Sequence, residues 1–206
     1  MLQRLSDGCG RATQEVEIRA WVLGVEAGLL AHDLIGMEAV PLGTVTIDDV
    51  YLCPKEATRF EDVEMNAAGS YCLRVRRQVG DDGRPQISIN SKTLISYGDH
   101  RAWEEHEVEA SDFEEAKFVF TCTGFKPYFS LSKRRQMFGL SGATVCLEDI
   151  DGLDGIVVEI ERMTVPGGEE EAKRHSLHLM KRIGIAEAHI LEKSITNRLM
   201  RERAVF

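Results

Sequence analysis

Apolar and polar residues alternate along several short stretches of the chain, and this period of two predicts β-strands. The clearest stretch is residues 15–19 (EVEIR), where Val16 and Ile18 point away from the charged side chains. Short turns separate most stretches, such as the GDDG sequence at residues 80–83. The predicted strands are residues 14–22, 44–52, 70–78, 86–95, 103–110, 127–138, 143–149 and 156–163.

Three other segments carry apolar residues at helical spacing and predict α-helices over residues 25–35, 113–122 and 169–183. Gly36 is suited to end the first helix, and Ser111 or Asp112 to cap the second. The residues after the third helix predict only a short tail. Residues 1–12 predict a flexible lead, and residues 13–206 predict a single domain.

The order of these elements predicts an α+β protein. Most strands follow one another through short links, which favours a mainly antiparallel sheet over repeated βαβ units. The sequence contains neither a P-loop nor a dinucleotide-binding glycine motif.

Charged residues occupy alternate positions in six of the strands, so that each set shares one face. Acidic faces are predicted at residues 15–17, 105–109 and 159–161, and basic faces at residues 74–76, 92 and 133–135. For a single strand, such a face usually points to water. If the strands closed into a barrel, the same faces could converge inside it, and eight strands leave room for one small ligand. Periodicity alone does not decide between these two arrangements.

Composition narrows the possible partners. The chain has 206 residues, a formal net charge of -9 and a pI near 5.2. Such an acidic chain is not expected to bind nucleic acid or an anionic membrane surface as its main partner. No apolar run approaches the length of about 18 residues that predicts a membrane span, and the polar N-terminus lacks an apolar signal core, so we expect a cytoplasmic protein.

Several motifs, in this order along the chain, resemble those of a known family. The segment Glu15-x-Glu17-x-Arg19 resembles the ExExK signature of the CYTH superfamily, the triphosphate tunnel metalloenzymes, with arginine in place of lysine. Later segments resemble further motifs of the family: the D-x-Y strand at residues 48–51, the LRxR strand at 73–76, the strand lysine at 92 and the acidic strand at 105–109. Residues 124–135 resemble its "GF…K.R" segment and residues 148–161 its "VEIE" segment. Residues 193–199 resemble the tail of class IV adenylyl cyclases.

The resemblance implies a closed eight-stranded antiparallel barrel with a few flanking helices. It also implies a triphosphate cradle of six basic side chains, namely Arg19, Arg74, Arg76, Lys92, Lys133 and Arg135. Mg²⁺ or Mn²⁺ would be held by Glu15, Glu17, Glu148 and Glu159, with Glu107 as a further candidate and Asp149 as the alternative to Glu148. Glu17 or Glu159 would take the catalytic proton. Glu161 shares a face with Glu159 but could lie at the rim, and the scattered histidines are assigned no role.

The resemblance implies two possible reactions, and departures from the family pattern, such as Arg19 in place of lysine, leave a third function open. The first is a class IV adenylyl cyclase-like enzyme that converts ATP to cyclic AMP and pyrophosphate. The second is a triphosphatase acting on inorganic, thiamine or nucleoside triphosphate. The third is a non-catalytic module that binds a nucleotide or polyphosphate. The resemblance is also compatible with a homodimer.

Overall fold

The computed structural model describes residues 14–24, 27–97 and 99–206 of the chain. The flexible lead predicted over residues 1–12 lies outside them, as does the predicted start of the first helix. The strands are β1 Gln14–Val22, β2 Val40–Pro54, β3 Tyr71–Val79, β4 Pro85–Leu94, β5 Ala102–Ala110, β6 Phe125–Leu140, β7 Ala143–Ile150 and β8 Ile156–Thr164.

The strands close into an antiparallel barrel in the order β1-β5-β4-β3-β2-β6-β7-β8. Strand β1 closes it: the strand pairs along its whole length with β8, from Gln14 opposite Thr164 to Val22 opposite Ile156. On its other side, β1 pairs with β5 through Glu15, opposite Trp103, and Val16, opposite Ala102. The predicted fold class is therefore confirmed.

In the part of the chain that the structure describes, four α-helices and two short 3-10 helices lie around the barrel. The helices are α1 Ala27–Gly36, α2 Phe113–Cys122, α3 Glu169–Arg182 and α4 Ile195–Arg203, and the 3-10 turns are Phe60–Asp62 and Glu187–His189. Asp112 caps α2 through its side chain. Helix α4, which begins after the cap residue Ser194, was predicted as tail.

A set of charged side chains lines the inside of the barrel. On β1, Val16, Ile18 and Ala20 are fully buried, whereas Glu15, Glu17 and Arg19 on the opposite face are only 9, 2 and 8% exposed. The apolar outer face is covered by α1 and α3, which contribute Leu34, Leu179 and Met180 to one core with Ile18, Ala20, Val158 and Ile160. Since helices cover the apolar face, the charged face is the one that lines the interior.

Helix α4 covers the apolar end of this interior. Its residues Ile195, Leu199 and Met200 are 3, 1 and 7% exposed and pack with Tyr51 and Leu131 from the strands. Burying a side chain of this size contributes about 1.5–3 kcal/mol. In the described part of the chain, no helix combines the length and the apolar character needed to cross a membrane.

Candidate functional site

The barrel interior holds a cavity of about 1000 Å³, its mouth included. All six basic residues predicted to form a cradle line this cavity: Arg19, Arg74, Arg76, Lys92, Lys133 and Arg135. Five carboxylates line it as well: Glu15, Glu17, Glu105, Glu159 and Glu161. The interior therefore brings together side chains from six strands that lie up to about 145 positions apart in sequence.

Lys92 is the centre of the first group of charges. Its Nζ lies 2.6 Å from Glu15 Oε2 and 3.6 Å from Glu105 Oε2, and it also contacts Glu17. Burial alone would raise the pKa of Glu15, but the charge of Lys92 and hydrogen bonding lower that pKa to about 2. Glu15 is therefore ionised at neutral pH.

Glu159 is held between two arginines. Its Oε1 accepts a 2.7 Å hydrogen bond from Arg19 Nε, and its Oε2 accepts one of 2.8 Å from Arg135 Nη2. These guanidinium groups overcome the effect of burial and hold the pKa of Glu159 well below its usual range. Arg19 also contacts Glu17, so the two predicted catalytic carboxylates share one arginine.

Glu148 is a buried counter-ion in this structure. It is 1% exposed, and its Oε1 accepts hydrogen bonds of 2.5 Å from both Lys133 Nζ and Arg135 Nε. Burial lowers the pKa of Lys133, and the charge of Glu148 opposes that shift. Glu148 is not among the residues that line the cavity. Its alternative, Asp149, is exposed on the outside of the barrel.

Asp49 is a buried acid to which the sequence assigned no role, although it stands in the D-x-Y segment. It is 1% exposed and accepts two hydrogen bonds from Arg76, at 2.7 and 2.8 Å. A second arginine, Arg74, lies 3.7 Å away. Burial would raise the pKa of Asp49, but the two arginines hold it well below its usual range. This carboxylate fixes the orientation of one side of the basic cradle.

Three carboxylates come close enough together to share a cation. One oxygen each from Glu15, Glu17 and Glu161 lie within 4.8 Å of one another. An oxygen-only donor set is the kind that suits Mg²⁺ or Mn²⁺. Burial is the main cause that raises the pKa of Glu161, with a further contribution from Glu15. A divalent ion would offset this crowding of negative charge, so the residues fit the metal.

The carboxylates predicted from the sequence to bind the metal have different surroundings in the structure. Glu15 and Glu17 belong to the carboxylate trio, whereas Glu159 pairs with arginines and Glu148 is enclosed. Glu107 is exposed and accepts a hydrogen bond from the buried Asn90. Glu161 completes the trio, and the sequence signal for it was its position two residues after Glu159 on the same strand face.

One protein family matches most of the chain. The sequence model of that family, the CYTH domain, matches residues 13–195. The chain belongs to the CYTH family. Membership in this family of triphosphate tunnel metalloenzymes implies a triphosphate substrate and dependence on a divalent metal ion. No protein of curated function matches the chain at a significant level.

Several solved structures share the CYTH fold. A protein from Pyrococcus horikoshii OT3 has a TM-score of 0.76 and 19% identity, over 92% of this chain and 99% of its own. A candidate adenylate cyclase from Vibrio parahaemolyticus has a TM-score of 0.71 and 15% identity, over 90 and 97%. A candidate adenylyl cyclase from Hippeastrum, described as having a dominant triphosphatase activity, has a TM-score of 0.57 and 14% identity, over 94 and 97%. At these identities the likeness shows the fold.

Proposed function

We propose that this CYTH protein is a metal-dependent enzyme acting on an organic triphosphate, with cyclisation of ATP to cyclic AMP and pyrophosphate as the leading activity. The observation that carries the proposal is the convergence of six basic side chains and a carboxylate trio on one cavity inside the barrel. A barrel that needed only a stable core would fill its interior with apolar side chains, because burying charges is costly unless each is paired.

The basic cradle is suited to a polyanion. Its members pair with interior carboxylates, as Arg135 does with Glu148, Glu159 and Glu161. A triphosphate would bring phosphate oxygens to the same guanidinium and ammonium groups, and arginine can contact such oxygens through two parallel hydrogen bonds. The carboxylates so released would then be available to a cation.

Glu15, Glu17 and Glu161 are the residues proposed to hold Mg²⁺ or Mn²⁺. A bound divalent ion would neutralise phosphate charge and polarise the phosphorus under attack. The protein's own contribution is position: the strands fix both the trio and the cradle, so the substrate is oriented by side chains that are already buried and paired.

In the cyclase reaction, the ribose 3′-oxygen of ATP forms a bond to the α-phosphorus, and the bond between that phosphorus and the bridging oxygen of pyrophosphate breaks. The hydroxyl proton passes to a carboxylate, for which Glu17 and Glu159 are the candidates. Both contact Arg19, which places them beside the same basic group of the cradle.

Hydrolysis is the second candidate function. The same cradle could hold a triphosphate while water attacks the terminal phosphorus, and the structurally similar Hippeastrum protein is described as mainly a triphosphatase. The two reactions differ in their demand on the rest of the cavity, because only cyclisation requires an ordered ribose beside the α-phosphate.

The test is product analysis with purified protein. The protein is incubated with ATP or inorganic triphosphate and with Mg²⁺ or Mn²⁺, and the products are separated by chromatography. Cyclic AMP and pyrophosphate are expected, and Glu17→Gln and Glu159→Gln should abolish them. Glu104→Gln is the matched control, since this glutamate lies on the same barrel but is exposed on its outer side.

Formation of orthophosphate without any cyclic nucleotide would identify the protein as a triphosphatase and not a cyclase. If neither substrate yields a product and neither binds, the enzyme proposal is wrong. Binding without turnover would instead identify a non-catalytic nucleotide or polyphosphate module.

A further inference from the structure

The cavity continues beyond the charged cradle into a chamber of a different character. We call it the aromatic chamber; it is lined by Phe60, Met65, His100, Trp103, Tyr128 and Met200. The cavity lining changes from charged to aromatic between side chains two residues apart on one strand, as from Glu105 to Trp103 on β5. Inorganic triphosphate would leave such a chamber without an apolar partner, whereas an organic group attached to the triphosphate could fill it.

His100 is the polar side chain of interest in this chamber. It is 3% exposed, and its Nε2 is buried without a hydrogen-bond partner among the described residues. Its ring packs edge-on against Trp103 at 5.7 Å between centroids. A buried polar atom without a partner is unfavourable, because it loses its hydrogen bond to water on folding and gains none in return. A ligand atom that bonds to Nε2 would remove this cost.

The backbone of His100 ties it to the cradle. Its carbonyl oxygen accepts a 3.3 Å hydrogen bond from Arg19 Nη1. Arg19 therefore joins the cradle to the residue that lines the aromatic chamber, and a triphosphate bound to Arg19 could extend an attached organic group into that chamber. The polar end of α4 faces the same chamber, since Ser194, Thr196 and Asn197 also line the cavity.

The charges around His100 favour a neutral organic group over a cationic one. Burial lowers the pKa of His100, and the positive charges of Lys193 and Arg19 lower it further, against smaller opposing effects of Glu64 and Asp99. Glu64 already accepts hydrogen bonds from Lys193 and Arg201, at 3.0 and 2.8 Å. A neutral imidazole offers one donor and one acceptor nitrogen, as a heteroaromatic base requires of its partner.

We propose that His100 recognises the organic group of the substrate by a hydrogen bond from its Nε2 atom, and that this group is a neutral nucleobase. The inference rests on the proposed function, because it presupposes that a triphosphate occupies the cradle. It makes His100 a specificity-determining residue and distinguishes ATP from both inorganic triphosphate and thiamine triphosphate, whose ring system carries a positive charge.

Steady-state kinetics of His100→Leu and His100→Gln test the proposal. The KM for ATP is measured, and inorganic triphosphate is titrated as a competitor to obtain its inhibition constant. His100→Leu should raise the KM for ATP by about tenfold or more, the equivalent of one hydrogen bond to a buried group. The inhibition constant of inorganic triphosphate should change less than about twofold, because it does not reach the aromatic chamber.

Two variants guard against a purely structural effect. His100→Gln keeps a donor and an acceptor and should recover part of the affinity for ATP without altering the inhibition constant. His106→Leu is the matched control, because His106 is exposed and lies outside the cavity. Thermal unfolding of each variant confirms that it is folded before its kinetics are compared.

The outcomes separate this inference from the proposed function. If wild-type protein neither binds nor turns over any of the three triphosphates, the proposed function fails, and this inference with it. If wild-type protein acts on triphosphates but His100→Leu weakens ATP and inorganic triphosphate equally, or weakens neither, only the role of His100 is overturned. Preference of the wild-type protein for thiamine triphosphate over ATP would also overturn it.

Discussion

Replacement of Glu148 by glutamine distinguishes a buried counter-ion from a metal ligand. The carboxylate is enclosed and accepts hydrogen bonds from Lys133 and Arg135, while the trio of Glu15, Glu17 and Glu161 forms elsewhere. Glutamine keeps the size of the side chain but removes its charge. Lys133 then loses the carboxylate that opposes the lowering of its pKa by burial, so the variant contains an uncompensated buried cation.

The size of the effect follows from this burial. Removing one partner of a buried ion pair costs about 3–5 kcal/mol. For a chain of this length, each kcal/mol lowers Tm by about 2–4 °C. Because the glutamine oxygen can still accept a hydrogen bond, we expect the lower end of the range: a loss of about 3 kcal/mol and a fall in Tm of about 6–12 °C.

Thermal unfolding with and without inorganic triphosphate, followed by circular dichroism, measures this loss. The added anion should raise Tm of Glu148→Gln more than that of wild-type protein, because the freed cations gain a negative partner. Asp149→Asn is the control, since Asp149 is the exposed neighbour and its replacement should change stability by less than about 0.5 kcal/mol. An unchanged Tm together with a large loss of Mn²⁺ affinity would refute the reasoning and make Glu148 a ligand.

Three further predictions concern the metal, the pH dependence and the helix at the end of the barrel. Glu161→Gln should weaken Mn²⁺ binding by more than about tenfold in calorimetry, and an equal loss in Glu107→Gln would contradict the assignment of the trio. Because the pKa of His100 is lowered on folding, the unfolded chain takes up a proton that the folded chain does not. Stability should therefore fall as pH drops below the ordinary histidine value of 6.5. In urea unfolding at several pH values, the free energy of unfolding should depend less on pH in His100→Gln than in wild-type protein. The same pH dependence in both proteins would contradict the prediction. Leu199→Ala should cost about 2–5 kcal/mol in urea unfolding, whereas a cost no greater than that of the exposed Val205→Ala would show that α4 does not close the barrel.

The strands and their faces were predictable because a side-chain period of two is a local property of the chain. The observed strands overlap all eight predicted ones, although β2 extends to Val40 and Pro54, beyond the predicted range of 44–52. Its early part has a register shift between Pro41 and Gly43, and such an irregularity interrupts the alternation on which the prediction depends.

Helix α4 could not be predicted from its own residues. Over Ile195–Arg203 the sequence ITNRLMRER is mostly polar and only nine residues long, so propensity alone does not favour a stable helix. The helix is stabilised by Ile195, Leu199 and Met200 packing against the apolar end of the interior. That surface exists only when the barrel has closed.

The sequence determined which charges share a face, and the order of its motifs identified the family. Only the tertiary structure decided that this face is the inner one, because the choice depends on α1 and α3 covering the opposite face. It also decided which carboxylates meet. Glu148 is turned toward Lys133, while Glu161 on β8 lies opposite Glu17 on β1 and joins the trio. These pairings depend on how distant strands are aligned across the barrel, and strand alignment is a non-local property that no single segment of sequence contains.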